Sequence, residues 1–197
     1  MTYKITVFCE DDGHDLFLRP LVERVAKEFD AAIDIHIFSN TKGHGQVIRE
    51  LKQFIIDLKR SAEFIPDILL VAVDTNCSSP TKKKSEVLAI VKEFQNQLVL
   101  ALPNPHIERW LLIDSLAFKT VLSKGCRAPD EKCDKDRYKQ LLRNAVKQTG
   151  YPVSIGGWEY AIDIVKAMRI NPFQRRKDSS LYHLINDLRS RFKELLR

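Results

Sequence analysis

Three observations predict an α/β fold with a mainly parallel sheet, flanking helices and a helical C-terminal part. Strand-like and helix-like segments alternate up to Leu102, and such alternation implies crossovers between parallel strands. Asp67-Ile-Leu-Leu-Val-Ala-Val-Asp74 is an unbroken apolar run between two acids, as expected of a strand covered on both faces. Beyond Leu102 the remaining segments follow helical spacing.

The first strand is read over 3–9, rich in β-branched and aromatic residues and ending at Glu10. Asp11-Asp12-Gly13-His14 has turn composition. From Asp15 to Phe29 the apolar residues recur at helical spacing, with Pro20 inside the pattern. Because proline fits best in a first turn, the regular helix is expected to begin near it. Asp15 is a candidate N-cap, and His14 reads as a loop residue. Residues 33–38 form the second strand, 39–45 a polar loop and 47–58 an amphipathic helix. The Asp67–Asp74 run is the third strand, a helix follows over 82–96, and 97–102 is the fourth strand. A turn with a short helix is expected over 103–114, a polar loop over 123–135, and helices near 135–148, 157–168 and 179–196. Two units result: an α/β domain over 1–120 and a helical extension over 121–197 packed on the same core. No internal repeat is visible.

With 197 residues, 44% of them apolar and 29% charged, the chain has the make-up of an ordinary globular protein with a core of its own. No apolar run is long enough to span a membrane, and the N-terminal segment lacks the marks of a signal peptide. A cytoplasmic location is the expectation. Cys9, Cys77, Cys126 and Cys133 form no CxxC pair, so they read as ordinary thiols rather than zinc ligands. The net charge is +6, with the densest basic blocks at Lys82-Lys83-Lys84 and Arg175-Arg176-Lys177. Charge of this size suits a solvated surface, and clusters of it suit phosphates.

The chemistry-bearing pattern lies at the strand ends. Glu10 follows the first strand, and Asp74 and Asn76 follow the third. In a parallel sheet these ends share one edge, where sites of open α/β sheets form. Oxygen ligands of this kind suit Mg²⁺ or Mn²⁺, which can polarise a phosphodiester and activate water. Loop polarity alone also places acids at strand ends. His44 could reach the same edge or belong to an exposed loop. Lys82, Lys83 and Lys84 begin the helix after the Asp74 loop, where they could hold a phosphate backbone.

These residues resemble a known family. "ITVFCEDDGHDLFLRPLVERV" is similar to the opening of a Toprim domain, in which a strand ends in Glu and a short loop leads into a helix, and "DILLVAVDTN" to its Asp-x-Asp strand. "NPHIERWLLID" resembles a segment of small stand-alone bacterial Toprim-like proteins of the OLD-type and RloB-like groups. The resemblance spans about residues 4–116. It implies a Toprim/Rossmann-like sheet and metal-dependent nucleic-acid cleavage, DNA before RNA, in antiviral defence beside an ABC- or SMC-like ATPase. It also implies Glu10 as acid/base or metal ligand, and Asp74 and Asn76 as metal ligands. Asn76 stands where the family has a second aspartate, which lowers the site's charge, and Asp11 stands where a glycine is common. Glu108 is a candidate supporting catalytic acid. His106 is a weaker candidate, because on a helix His106 and Glu108 would not share a face. Asp114 reads as a helix-end acid.

Three function classes compete. The first is a Mg²⁺- or Mn²⁺-dependent nuclease. The second is a non-catalytic subunit with a weakened metal site that docks a protein or nucleic acid. The third, a small-molecule enzyme on a flavodoxin-like sheet, lacks a glycine-rich phosphate loop after the first strand. Neither a P-loop nor a Gly-x-Ser-x-Gly elbow occurs, so ATP use would need a partner. The oligomeric state, a homodimer included, stays open.

Overall fold

The computed structural model describes residues 2–39, 43–60, 65–134, 136–171 and 178–197. The Arg175-Arg176-Lys177 block lies outside the described residues. Four strands, β1 (Thr2–Cys9), β2 (Ala32–Ser39), β3 (Ile68–Ala72) and β4 (Leu98–Ala101), form an all-parallel sheet in the order β2-β1-β3-β4. The chain passes from β1 to β2 on one side, then crosses to β3 on the other. The strand order therefore reverses between β1 and β3, and their carboxyl ends border the crevice where α/β ligands bind. Cys9 pairs with Ala72 and Ala72 with Ala101, so Glu10, Asp74 and the segment after β4 emerge at one edge.

Helices are α1 (Asp12–Lys27), α2 (His44–Arg60), α3 (Pro80–Ile90), α4 (Glu108–Leu112), α5 (Ser115–Leu122), α6 (Arg137–Lys147), α7 (Ala161–Ala167) and α8 (Ser179–Leu195). Strand alternation divides the apolar residues between two cores. Ile68, Leu70 and Ala72 join Ile5, Val7 and Cys9 in the core shared with α1, α4, α5, α6, α7 and α8. Leu69, Val71 and Val73 join Phe8 in the core shared with α2 and α3. The β3 run is buried throughout because both faces are covered.

Several expectations need correction. α1 begins at Asp12, well before Pro20, because Asp11 caps it: its side chain accepts the His14 N–H. Asp15 is therefore inside the helix, paired with Arg19 at 3.0 Å. α3 ends at Ile90, and a short 3-10 turn over Lys92–Phe94 replaces the rest of the expected helix. Residues 115–122, unassigned from sequence, form α5, capped by Asp114 through the Leu116 and Ala117 N–H groups. Cys77 and Cys133 form a disulfide with Cα atoms 5.6 Å apart, so they are not ordinary thiols, whereas Cys9 and Cys126 are free.

Candidate metal and acid–base site

The cluster grows from three loops at the carboxyl edge. Glu10 closes β1 and its Oε1 accepts the backbone N–H of Asp74 at 3.1 Å, joining the ends of β1 and β3. Asp74 is buried. Its Oδ1 accepts the Ile107 N–H and its Oδ2 meets His106 Nδ1, each at 3.1 Å, joining β3 to the segment after β4. Asp74, His106 and Glu108 each present one ligand atom, all within 4.8 Å of one another. His106 and Glu108 converge despite their spacing because His106 precedes the first turn of α4 and is not on the helix.

His14 is buried in the first turn of α1 rather than in a loop. Its Nδ1 lies 2.8 Å from Asp11 Oδ1. Its Nε2 lies 3.3 Å from Asp74 Oδ1, near enough for attraction but not aligned as a hydrogen bond. His44 opens α2, with Nε2 3.0 Å from Glu86 and Nδ1 3.8 Å from Glu10 Oε1, so it borders the cluster.

Burying several charges together shifts their protonation. Burial and then the Asp74 charge push the Glu10 carboxyl up to about 7, with His14 and Lys83 partly opposing. Burial and then Asp74 also raise Glu108. For Asp74 burial acts upward, but the close His14 imidazole and the charge and hydrogen bond of His106 outweigh it and hold the carboxyl low. Burial alone would lower His14, yet Asp74 and Asp11 raise it to about 10. The hydrogen bond to Asp74 is the main cause of the rise at His106. The cluster thus holds carboxyls of opposite tendency, a pattern concentrated at functional sites.

A cavity of about 330 Å³ opens over the cluster, lined by Glu10, Asp74, Asn76, His106 and Glu108 and walled by Tyr138 and Lys139 of α6. Asn76 is exposed, in left-handed backbone geometry (φ 46°), with its N–H bonded to Pro105 O at 3.2 Å. The lysine block divides. Lys82 and Lys83 line a groove with Ser78, Ser85 and Glu86, which adjoins the cluster through the Glu86–His44 pair. Lys84 lines a different cavity of about 750 Å³ beside β4, with Leu98, Leu100, Leu102 and Asp187. That larger cavity contains none of the strand-end acids, so size does not mark the chemistry. Lys139 and Tyr138 escaped the sequence reading because α6 is distant in the chain. The Cys77–Cys133 disulfide ties the loop after β3 to the loop before α6, and thereby two walls of the cavity.

No family model, curated protein or solved structure matches this chain. Among the described residues no helix is long and apolar enough to cross a membrane. The functional reading therefore rests on the cluster itself.

Do these donors fit a divalent ion? Two carboxylates and one imidazole at convergent spacing do. The imidazole favours Mn²⁺ over Mg²⁺, since affinity for a nitrogen donor rises along the first-row series and Mg²⁺ prefers oxygen. Binding would displace the proton shared by His106 and Asp74.

Proposed function

We propose that this chain is a divalent-metal-dependent nuclease working at the carboxyl edge of its sheet. The observation that carries the reading is the convergence of Asp74, His106 and Glu108 within 4.8 Å, beside a glutamate whose pKa is pushed to about 7. When bound, the ion would supply Lewis-acid polarisation of a phosphoryl oxygen and acidify a water. Asp74, His106 and Glu108 would hold it, with Asn76 lining the same cavity. Glu10 would take a proton from the attacking water as the new P–O bond forms, and the ester P–O bond would break with the leaving oxygen protonated from solvent. A pKa near neutrality suits that base. His14, charged between Asp11 and Asp74, would keep Asp74 ionised and oriented. Lys83 and Lys139, whose charges reach Glu10 and Glu108, would attract the anionic strand, and Lys82 would extend that track.

From the sequence resemblance to Toprim-like proteins we further propose DNA as first substrate, a cytoplasmic setting, an antiviral role and an ATPase partner. The test is cleavage of supercoiled plasmid and single-stranded RNA in Mn²⁺ or Mg²⁺. Glu10→Gln and Asp74→Ala should each lower the rate at least ~100-fold. Unchanged cleavage in both variants would refute the assignment.

One observation favours a second reading, a non-catalytic nucleic-acid or protein docking subunit. Both Asp74 oxygens already have protein partners, His106 and the Ile107 N–H. Calorimetric titration with Mn²⁺ separates the two, because the docking reading expects no binding heat and no released proton.

A further inference from the structure

We propose that the cavity between α6 and the Ser154–Trp158 loop is a subsite for one nucleotide, its phosphate held by Lys139 and Arg143 and its base laid against Ile155 and Trp158. The inference rests on the nuclease reading for its place, next to the scissile phosphate, but stands on separate observations. The cavity has a volume of about 490 Å³, within the range of small-ligand sites. It shares Asp11, Glu108 and Lys139 with the cavity over the acid cluster, so the two are continuous.

Its walls differ in chemistry. On one side are Asp11, Asp12 and Glu108, the edge of the acid cluster. On the other, Lys139 and Arg143 are four residues apart on α6 and share a face. Both are exposed, and among the described residues neither makes a hydrogen bond or ion pair. Lys139 and Arg143 form no close ion pair, although the Lys139 charge reaches Asp11 and Glu108, and two such cations on one face suit a phosphate.

The apolar wall is built rather than incidental. The Glu159 carboxylate accepts the N–H groups of Ser154 (2.7 Å), Ile155 (3.2 Å) and Gly157 (2.9 Å). Those bonds hold the loop that presents Ile155, a branched apolar residue left 56% exposed. Gly157 has φ 103°, and a Cβ there would meet Leu142 at 2.9 Å, so glycine lets the loop lie against α6. At Gly13 a Cβ would lie 2.8 Å from the Trp158 ring, so the indole packs directly on the start of α1. A fixed apolar surface beside cations is what a base with its phosphate requires.

The test uses the intrinsic fluorescence of the full chain. It has two tryptophans; Trp110 is wholly buried and Trp158 is partly exposed, so quenching by a bound base reports Trp158. The probes are a ten-nucleotide oligo(dT) and free dTMP, each in Ca²⁺. Saturable quenching is expected, with affinity lowered about 5- to 20-fold by Lys139→Ala or Arg143→Ala and about 2- to 5-fold by Ile155→Ala. Lys193→Ala, on the exposed side of α8, should bind as wild type. Quenching by the oligomer alone assigns a strand subsite, and quenching by both a nucleotide site. Absence of quenching, or quenching indifferent to all three substitutions, overturns the proposal, and does so whether or not plasmid is cleaved. Quenching without any cleavage would instead overturn the nuclease reading and leave the subsite.

Discussion

Glu108 and Arg109 are neighbours on the five-residue helix α4, both are buried, and they belong to opposite kinds of polar environment. Arg109 faces a junction where every charge is answered. It pairs with Asp178, the N-cap of α8, and with Glu131 at 3.2 Å, and it donates to Asp130 O. Asp178 also accepts from Ser180 and the Leu181 N–H, and Ser180 accepts the Trp110 indole N–H at 3.0 Å. Glu108 faces the cavity, where burial and then the Asp74 charge raise its pKa. One side of the helix is a satisfied network that locks α8 to the sheet. The other gathers the Glu10, Asp74 and Glu108 carboxylates, where burial and mutual repulsion outweigh the neighbouring cations at Glu10 and Glu108.

The first way to test the contrast is Arg109→Ala, which leaves the buried Asp178 carboxylate without its counter-charge. It should cost about 3–5 kcal/mol, read as a denaturant midpoint shift. A loss below ~1 kcal/mol would mean that the junction is wetter than its burial implies. Reducing the Cys77–Cys133 link, which closes a separation of 56 residues, should cost roughly 2–4 kcal/mol of unfolding free energy. Equal stability with and without reductant would deny the link a structural role in holding the two cavity walls.

The acid cluster predicts a pH dependence in metal-free protein. The Glu10 pKa rises from 4.5 to about 7 on folding, so between these values the folded state binds more protons than the unfolded one. Stability should then fall as pH rises from about 5 to 8, by up to about 3 kcal/mol from this group. His14, raised from 6.5 to about 10, stabilises the fold fully below 6.5, and its contribution is lost as pH rises through 10. Thermal melts of wild type and Glu10→Gln across pH 5–8 check the first window: the variant should lack most of the decline. The smallest effect is Glu108→Gln, which relieves repulsion from Asp74 and should raise the stability of metal-free protein by about 1 kcal/mol while weakening Mn²⁺ binding. Lower stability in that variant would place Glu108 with the satisfied network instead.

The four strands, their parallel arrangement and the gathering of Glu10 and Asp74 at one edge were legible because each depends on local pattern. Period-2 and period-3.6 apolar spacing and the acids at strand ends are properties of a few adjacent residues. Other features were not legible for reasons visible in single residues. His14 looked like a loop residue because its acidic partner Asp74 is 60 positions away in sequence. Pro20 suggested a late helix start, but the Asp11 cap and core packing along α1 outweighed a single missing N–H. The lysine block looked uniform, yet successive helical residues point about 100° apart, so Lys84 faces away from Lys83.

By itself, then, the sequence determined the four strands, most of the helices and which acids end the strands, because backbone geometry and hydrophobic periodicity act over a few residues. Only tertiary structure decided that His106 and Glu108 meet Asp74, that Cys77 joins Cys133, and that Tyr138 and Lys139 of α6 wall the same cavity. These pairings depend on how the crossovers and the C-terminal helices pack onto the sheet, and packing is a sum over many long-range contacts that no local pattern encodes.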